Sequence, residues 1–170
     1  MNSVNHLNAS DHAAFTAALG HLFEHSPWVA AETWAKRPFR DAKDLHAQLC
    51  ATMRAASPER QLALIRAHPD LAGRLAVQGK LTAESVREQA SAGLNQLSPE
   101  ALETFRSLND AYRTRFGFPF IICARLNAHD AILRAMQERS SNALEEEKAT
   151  ALAEIEKIAW LRLNDLLSGH

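Results

Sequence analysis

Between residues 65 and 73 the chain reads IRAHPDLAG, from Ile65 to Gly73. The stretch interrupts a chain whose apolar residues otherwise recur at helical spacing. Proline disfavours helical geometry in the residue before it. The helix arriving from Ser57 should therefore end at Ala67–His68, and Pro69 should open a new short segment. That puts a histidine at a rigid break. Its unperturbed pKa of about 6.5 lets it give or take a proton at neutral pH.

Outward from the break, start and stop signals divide the rest into helices. Ser57–Pro58–Glu59 and Ser98–Pro99–Glu100 each pair a capping serine with a proline in the first turn, where its missing N–H does no harm. The helices they open should run to about Arg66 and Arg115. Ser10–Asp11 opens a helix carrying Phe15, Leu19, Leu22 and Phe23 on one face, closed by Ser26–Pro27. A short turn with Trp28 and Trp34 and a break at KRPF follow. Asp41–Ala56 reads as helix through Leu45, Leu49 and Met53. Thr82 caps a helix ending near Gly93. Two more helices span Ala128–Arg139 and Asn142–Leu167, the last amphipathic through Leu152, Ile155, Ile158 and Leu166. The charge run NALEEEKA reads as a solvated face of it. No repeat, linker or composition shift divides the chain, so residues 1–170 are expected to form a single all-α domain, a helical bundle of about seven to nine helices.

The 170 residues suffice for one domain with a buried core. A formal net charge of −1 supplies no field to gather nucleic acid or an anionic membrane. The two cysteines, Cys50 and Cys123, form no C-x-x-C pattern and no disulfide scaffold. No apolar run approaches the ~20 residues of a membrane span. The N-terminal residues lack a secretory pattern and the C-terminus lacks a peroxisomal address, so a cytoplasmic protein is expected.

Chemistry tends to sit where local rules fail. Beside His68–Pro69, two other places do so. In TAESVREQASAGL, Ser85, Glu88 and Gln89 stand at i, i+3 and i+4 and make one helix face rich in donors and acceptors. In FGFPFIICAR, Gly117 and Pro119 break any helix. Its backbone groups are then not consumed by a helical ladder and can face a ligand, and Arg125 at its end suits a carboxylate.

A different reading starts from HLFEH. His21 and His25 at i, i+4 with Glu24 between match the pattern of inverted zinc peptidases. The motif is short, the helix stops at Ser26–Pro27, and no third ligand is evident, so no metal is expected. A non-catalytic helical interaction protein is the other alternative.

Five stretches, in order, give a more specific signal: FEHSPWVAAETWAKRPF, AHPDLAG, ESVREQASAGL, LNDAYRTRFGFPFIICARL and EIEKIAWLRLNDLL. Together they resemble the 2-oxo-4-hydroxy-4-carboxy-5-ureidoimidazoline (OHCU) decarboxylase family of urate degradation, over nearly the whole chain from Phe15 to Leu167. The resemblance implies an all-α, cofactor-free, homodimeric enzyme whose partner is a small-molecule substrate. It implies His68 as catalytic histidine with Pro69 beside it, and Glu88 as a catalytic carboxylate. It implies substrate contacts from Ser85, Val86, Arg87 and Gln89, from the stretch Phe120, Ile121, Ile122, Cys123 and Ala124, and from Arg162 in WLRL. The lack of a peroxisomal tail fits a bacterial member. The implied substrate carries a carboxylate and a hydroxyl on one ring carbon, beside a carbon–nitrogen double bond that can accept the electron pair left by carbon dioxide. Such a substrate is its own electron sink. What remains for the protein is positioning and proton handling.

Overall fold

The computed structural model describes residues 3–73 and 78–169. Among them are nine α-helices, two short 3-10 turns and no strand. The α-helices are α1 (Val4–Ala9), α2 (His12–Leu19), α3 (Trp28–Thr33), α4 (Ala42–Ala55), α5 (Pro58–Arg66), α6 (Ala83–Ser91), α7 (Pro99–Phe116), α8 (His129–Arg139) and α9 (Leu144–Ser168). The chain divides into two compact units, residues 1–67 with 156–170, and residues 68–155.

Most helix starts are where the capping residues put them. Asp11, Asp41, Ser57, Thr82 and Ser98 each accept a hydrogen bond from a backbone N–H of the first turn. Each satisfies a donor that has no partner inside the helix. The helix α5 ends at Arg66, with the Ala67 N–H closing on the Ala63 and Leu64 carbonyls. Gly117 at φ 76° stops α7 in the left-handed conformation that favours glycine.

Three local expectations change. The helix that was to carry Leu22 and Phe23 ends at Leu19, and residues 21–25 form turns instead. Gly20 sits tight against Pro27, so a Cβ there would meet the proline Cβ at 3.1 Å. Leu22 and Phe23 are buried all the same. The Trp28–Trp34 turn is a helix, α3, followed by a 3-10 turn at Trp34–Lys36. Packing against α2 and α4 supports it, and Thr33 donates to the Val29 carbonyl at 2.7 Å, its hydroxyl oxygen also standing 2.7 Å from the Thr52 hydroxyl. The N-terminal residues add α1, capped by Ser3.

In the first unit, Phe15 and Leu19 of α2, Val29 of α3, Leu45, Leu49 and Met53 of α4, and Ala159 and Leu163 of α9 are buried. Arg54 pairs with Glu156 at 2.7 Å, and His46 meets Trp160 edge-on, holding the end of α9 to α4. In the second unit, α7 packs on α8. Tyr112 gathers Phe116, Phe118 and Phe120 at centroid distances of 4.5, 6.0 and 5.3 Å. Tilted and edge-on contacts of this kind suit the ring quadrupoles. Ile132 and Met136 of α8 and Ala151 and Ile155 of α9 are buried as well.

Candidate active site

The break at His68 is present, and the backbone after it is held from several sides. His68 is 8 % exposed and lies in a bend directly after α5. Leu71 and Ala72 are buried, and Ala72 takes φ +50°, left-handed geometry rare for a residue with a Cβ. Gly73 folds back so closely that a Cβ there would come within 2.6 Å of the Asp70 Cβ.

Side chains from two helices fix this loop. Gln89 of α6 accepts from the Ala72 N–H at 2.9 Å and donates to the Asp70 carbonyl at 3.4 Å. Asn109 of α7 donates to the Leu71 carbonyl at 2.8 Å, fully buried. Arg113, one turn further along α7, pairs with the Asp70 carboxylate at 2.8 Å. Asp70 is thus an ion-pair partner.

On α6, Ser85 and Gln89 are buried, and Glu88 is partly exposed on the same side. Val86 is 49 % exposed, and Arg87, about 200° round the helix from Ser85, faces solvent. Val86, Gln89 and Ala90 line a mostly apolar cavity of about 280 Å³ with Ala72, Leu94 and Leu102.

The segment Phe120–Ala124 is irregular and buried throughout, and a 3-10 turn at Ala124–Leu126 follows it and packs on α6. Its backbone is partly engaged within the unit. The Ile121 carbonyl accepts from Arg139 at 2.8 Å, and the Cys123 N–H donates to Glu154 at 2.9 Å. The Cys123 carbonyl accepts from the Leu126 N–H at 3.1 Å and the Asn127 amide at 3.0 Å. Burial pushes the Cys123 thiol up, and the Glu154 and Glu88 carboxylates push it further. Arg125 is exposed in the 3-10 turn.

A buried network supports the segment from below. Glu147 is fully buried, although it lies in the charge run that reads as a solvated face. Arg139 meets it at 2.9 Å, Tyr112 donates to it at 2.5 Å and Asn142 at 3.0 Å. A buried charge must be paired and hydrogen-bonded, and Glu147 is both. Arg139 also lies over the Phe120 ring at 4.2 Å. Sequence reading missed these supports. The one available signal was spacing: the stripe Ile155, Ala151, Glu147 runs back along α9 at intervals of four.

Arg162 lies in the other unit, 4 % exposed, with its guanidinium 2.9 Å from Glu24 and donating to the His21 carbonyl at 3.2 Å. This pairing bears on HLFEH. The motif lies in turns, so His21 and His25 do not share a helix face. Glu24 is 2 % exposed against Arg162, whereas the His25 side chain is 68 % exposed. The zinc reading needs those three groups on one ion, and the geometry does not offer them so.

Residues 8–164 match the family model for OHCU decarboxylase. The chain is 44% identical to a 2-oxo-4-hydroxy-4-carboxy-5-ureidoimidazoline decarboxylase of Halalkalicoccus jeotgali, over 96% of this chain and 91% of that protein. It is 42% identical to the enzyme of that name from Mus musculus, over 96% and 92%. A uric acid degradation bifunctional protein of Bacillus subtilis is 39% identical over 99% of this chain and 33% of its own length. Among solved structures, an (S)-allantoin synthase superposes with a TM-score of 0.76 at 31% identity, covering 98% of this chain and 54% of that one. An OHCU decarboxylase crystallised in the presence of (S)-allantoin superposes with a TM-score of 0.71 at 24% identity, over 94% and 99%, a likeness of fold.

Proposed function

The chain belongs to the OHCU decarboxylase family, and from that premise we infer that it converts OHCU into (S)-allantoin and carbon dioxide, a step of urate degradation. The observation that carries the reading is the family match across residues 8–164, within which the motif histidine stands buried on a clamped loop.

The reaction needs little from the protein beyond geometry and protons. The bond from the carboxylate to its ring carbon breaks, and its electron pair forms a double bond to the neighbouring carbon. The former carbon–nitrogen double bond yields its pair to nitrogen, which takes a proton. The hydroxyl then loses its proton and becomes the new ring carbonyl, while the neighbouring carbon gains one. Protonation of that carbon on one face gives the S enantiomer.

In this reading His68 handles the proton bound for that carbon, and Glu88 holds and deprotonates the hydroxyl. Burial and a clamped backbone support the first role, since proton delivery to one face requires a fixed donor. The partly exposed carboxylate of Glu88, on a helix that packs on the Ala124–Leu126 turn, supports the second. Ser85 and Gln89 pair with ureido or ring amide groups. Gln89 holds the loop and still has a second N–H and a second oxygen lone pair to offer. Pro69 and the backbone of Phe120, Ile121, Ile122, Cys123 and Ala124 line the site. The motif adds Val86, which lines the cavity beside Gln89, and Arg87, whose side chain faces solvent. The motif assigns Arg162 to holding a polar part of the substrate. The substrate is its own electron sink, so the reading calls for no cofactor.

Residues 1–170 act as one functional domain in this reading, because the family match runs through both units. Family resemblance supports a homodimer, and light scattering on the purified protein tests it. A cytoplasmic location accords with the described residues holding no helix long and apolar enough to cross a membrane.

Circular dichroism followed over time tests the activity. The unstable substrate is generated in place from urate with urate oxidase and hydroxyisourate hydrolase, and the protein is added. A signal of (S)-allantoin growing faster than the spontaneous decay is expected. A trace matching spontaneous decay to the racemate would overturn the reading.

A further inference from the structure

The loop after His68 does not owe its shape to its own sequence preferences. Ala72 takes a left-handed φ of +50° without being glycine, and Gly73 turns back onto Asp70. Such a backbone persists only when its surroundings hold it. Gln89 holds it from α6, and Asn109 and Arg113 hold it from α7.

Asn109 and Arg113 stand four residues apart, so they share one face of α7. Asn109 is 4 % exposed, and its amide N–H₂ meets the Leu71 carbonyl in a buried bond. Its oxygen has no hydrogen-bond partner among the described residues. A buried amide that leaves its oxygen unsatisfied is a poor choice for mere packing, which leucine would fill at no polar cost. What the amide supplies is one directed donor to the loop. Arg113 adds a charged contact to the side chain of Asp70, two residues after His68.

We propose that Asn109 and Arg113 are positioning residues of the decarboxylation: by clasping Leu71 and Asp70 they set where the His68 imidazole stands when it delivers its proton. The proposal rests on the reading of His68 as the proton-handling residue. Neither residue touches the substrate in it. A clamp of this kind affects the chemical step and its stereochemistry more than substrate affinity, because misplacing a proton donor leaves the binding groups where they were.

The test is Asn109→Leu, which keeps the branched outline of the side chain and removes the donor. kcat, KM and the enantiomeric excess of allantoin are measured over a range of enzyme concentrations, with the thermal midpoint alongside. The expected result is a fall in kcat on the order of 10²-fold, the scale of a misplacement of about 1 Å, with KM changed by less than about 3-fold. The enantiomeric excess falls and stays low however much enzyme is added. A purely structural role gives a different pattern. It lowers the fraction of active protein, and the enantiomeric excess returns to the wild-type value once enough enzyme outruns the spontaneous reaction. That pattern would overturn the proposal.

Should Asn109→Leu fail to fold, Arg113→Ala decides, because that side chain is 45 % exposed and a folded variant, checked by its thermal midpoint, is expected. A lowered enantiomeric excess that Arg113→Lys restores supports the clamp, and a wild-type value sinks it. Wild-type protein that makes no (S)-allantoin, or a fully active His68→Ala, would instead sink the functional reading. The two failures are thus read from different samples.

Discussion

His68 is an ordinary residue type in a constrained place. Its position after α5, next to Pro69, removes backbone freedom, and 8 % exposure removes most of the solvent. General acid–base help is worth on the order of 10²–10⁴ in rate, so His68→Ala should lose activity on that scale and keep a wild-type far-ultraviolet spectrum. Full turnover in that variant would remove His68 from the mechanism. Arg162 presents the opposite case, a charge whose partner is already visible. Removing it takes from buried Glu24 the guanidinium that stands 2.9 Å away, and breaking a buried pair costs about 3–5 kcal/mol. Arg162→Met should therefore lower the unfolding midpoint in urea. The double variant Glu24→Gln with Arg162→Met should recover much of that stability yet remain inactive. Recovery of activity along with stability would show that Arg162 serves the fold alone.

Among the elements, α6 and α7 act through their side chains on loops rather than through their own packing alone. The face of α6 that reads as ligand-facing also clamps the His68 loop, because Gln89 carries both a donor and an acceptor. The irregular segment Phe120–Ala124 depends on α8 and α9 in the same way. Arg139 holds the Ile121 carbonyl with one nitrogen and Glu147 with another. Replacing Arg139 by methionine would leave Glu147 buried with hydrogen bonds and no cation. A loss of about 3–5 kcal/mol in chemical denaturation is expected. Lower-protection amides should appear at Ile121–Cys123 in hydrogen exchange. An unchanged denaturation midpoint would mean that Tyr112 and Asn142 suffice to hold the carboxylate.

Over the whole molecule, three buried groups link stability to alkaline pH. Burial pushes the Cys50 thiol from 9.0 to about 12, with Glu156 adding to it. Burial and then Glu154 and Glu88 raise Cys123. Burial and the bond to Glu147 raise Tyr112. Each keeps its proton in the folded protein at a pH where the unfolded chain has released it. The folded state then binds more protons, and unfolding is favoured as pH rises. The cysteine contributions are intact below pH 9 and that of Tyr112 below pH 10, and each is lost upward from there, for Cys50 until pH is about 12. Each group in its window costs up to about 1.4 kcal/mol per pH unit. Thermal midpoints measured from pH 8 to 10.5 should therefore fall more steeply for the wild type than for Cys50→Ala. Parallel curves would show that Cys50 does not carry its share. The same raised values keep both cysteines as thiols near neutrality, so iodoacetamide should label them slowly in the folded protein.

Local rules determined the helices, because a cap, a proline or an apolar spacing acts within one or two turns. Ser57–Pro58, Thr82 and Ser98–Pro99 each began a helix as read, and His68–Pro69 ended one. The order of the five motifs carried the family, which the comparisons bear out. The tertiary structure alone decided which polar groups meet. That α3 is a helix depends on its packing against α2 and α4, and the burial of Glu147 depends on Arg139, Tyr112 and Asn142. Pairings such as Asn109 with Leu71 and Arg162 with Glu24 join segments far apart in the chain. Periodicity says which face of a helix is apolar, but a charge or an amide takes its role from whatever the fold sets opposite it, and that partner leaves no mark in the local sequence.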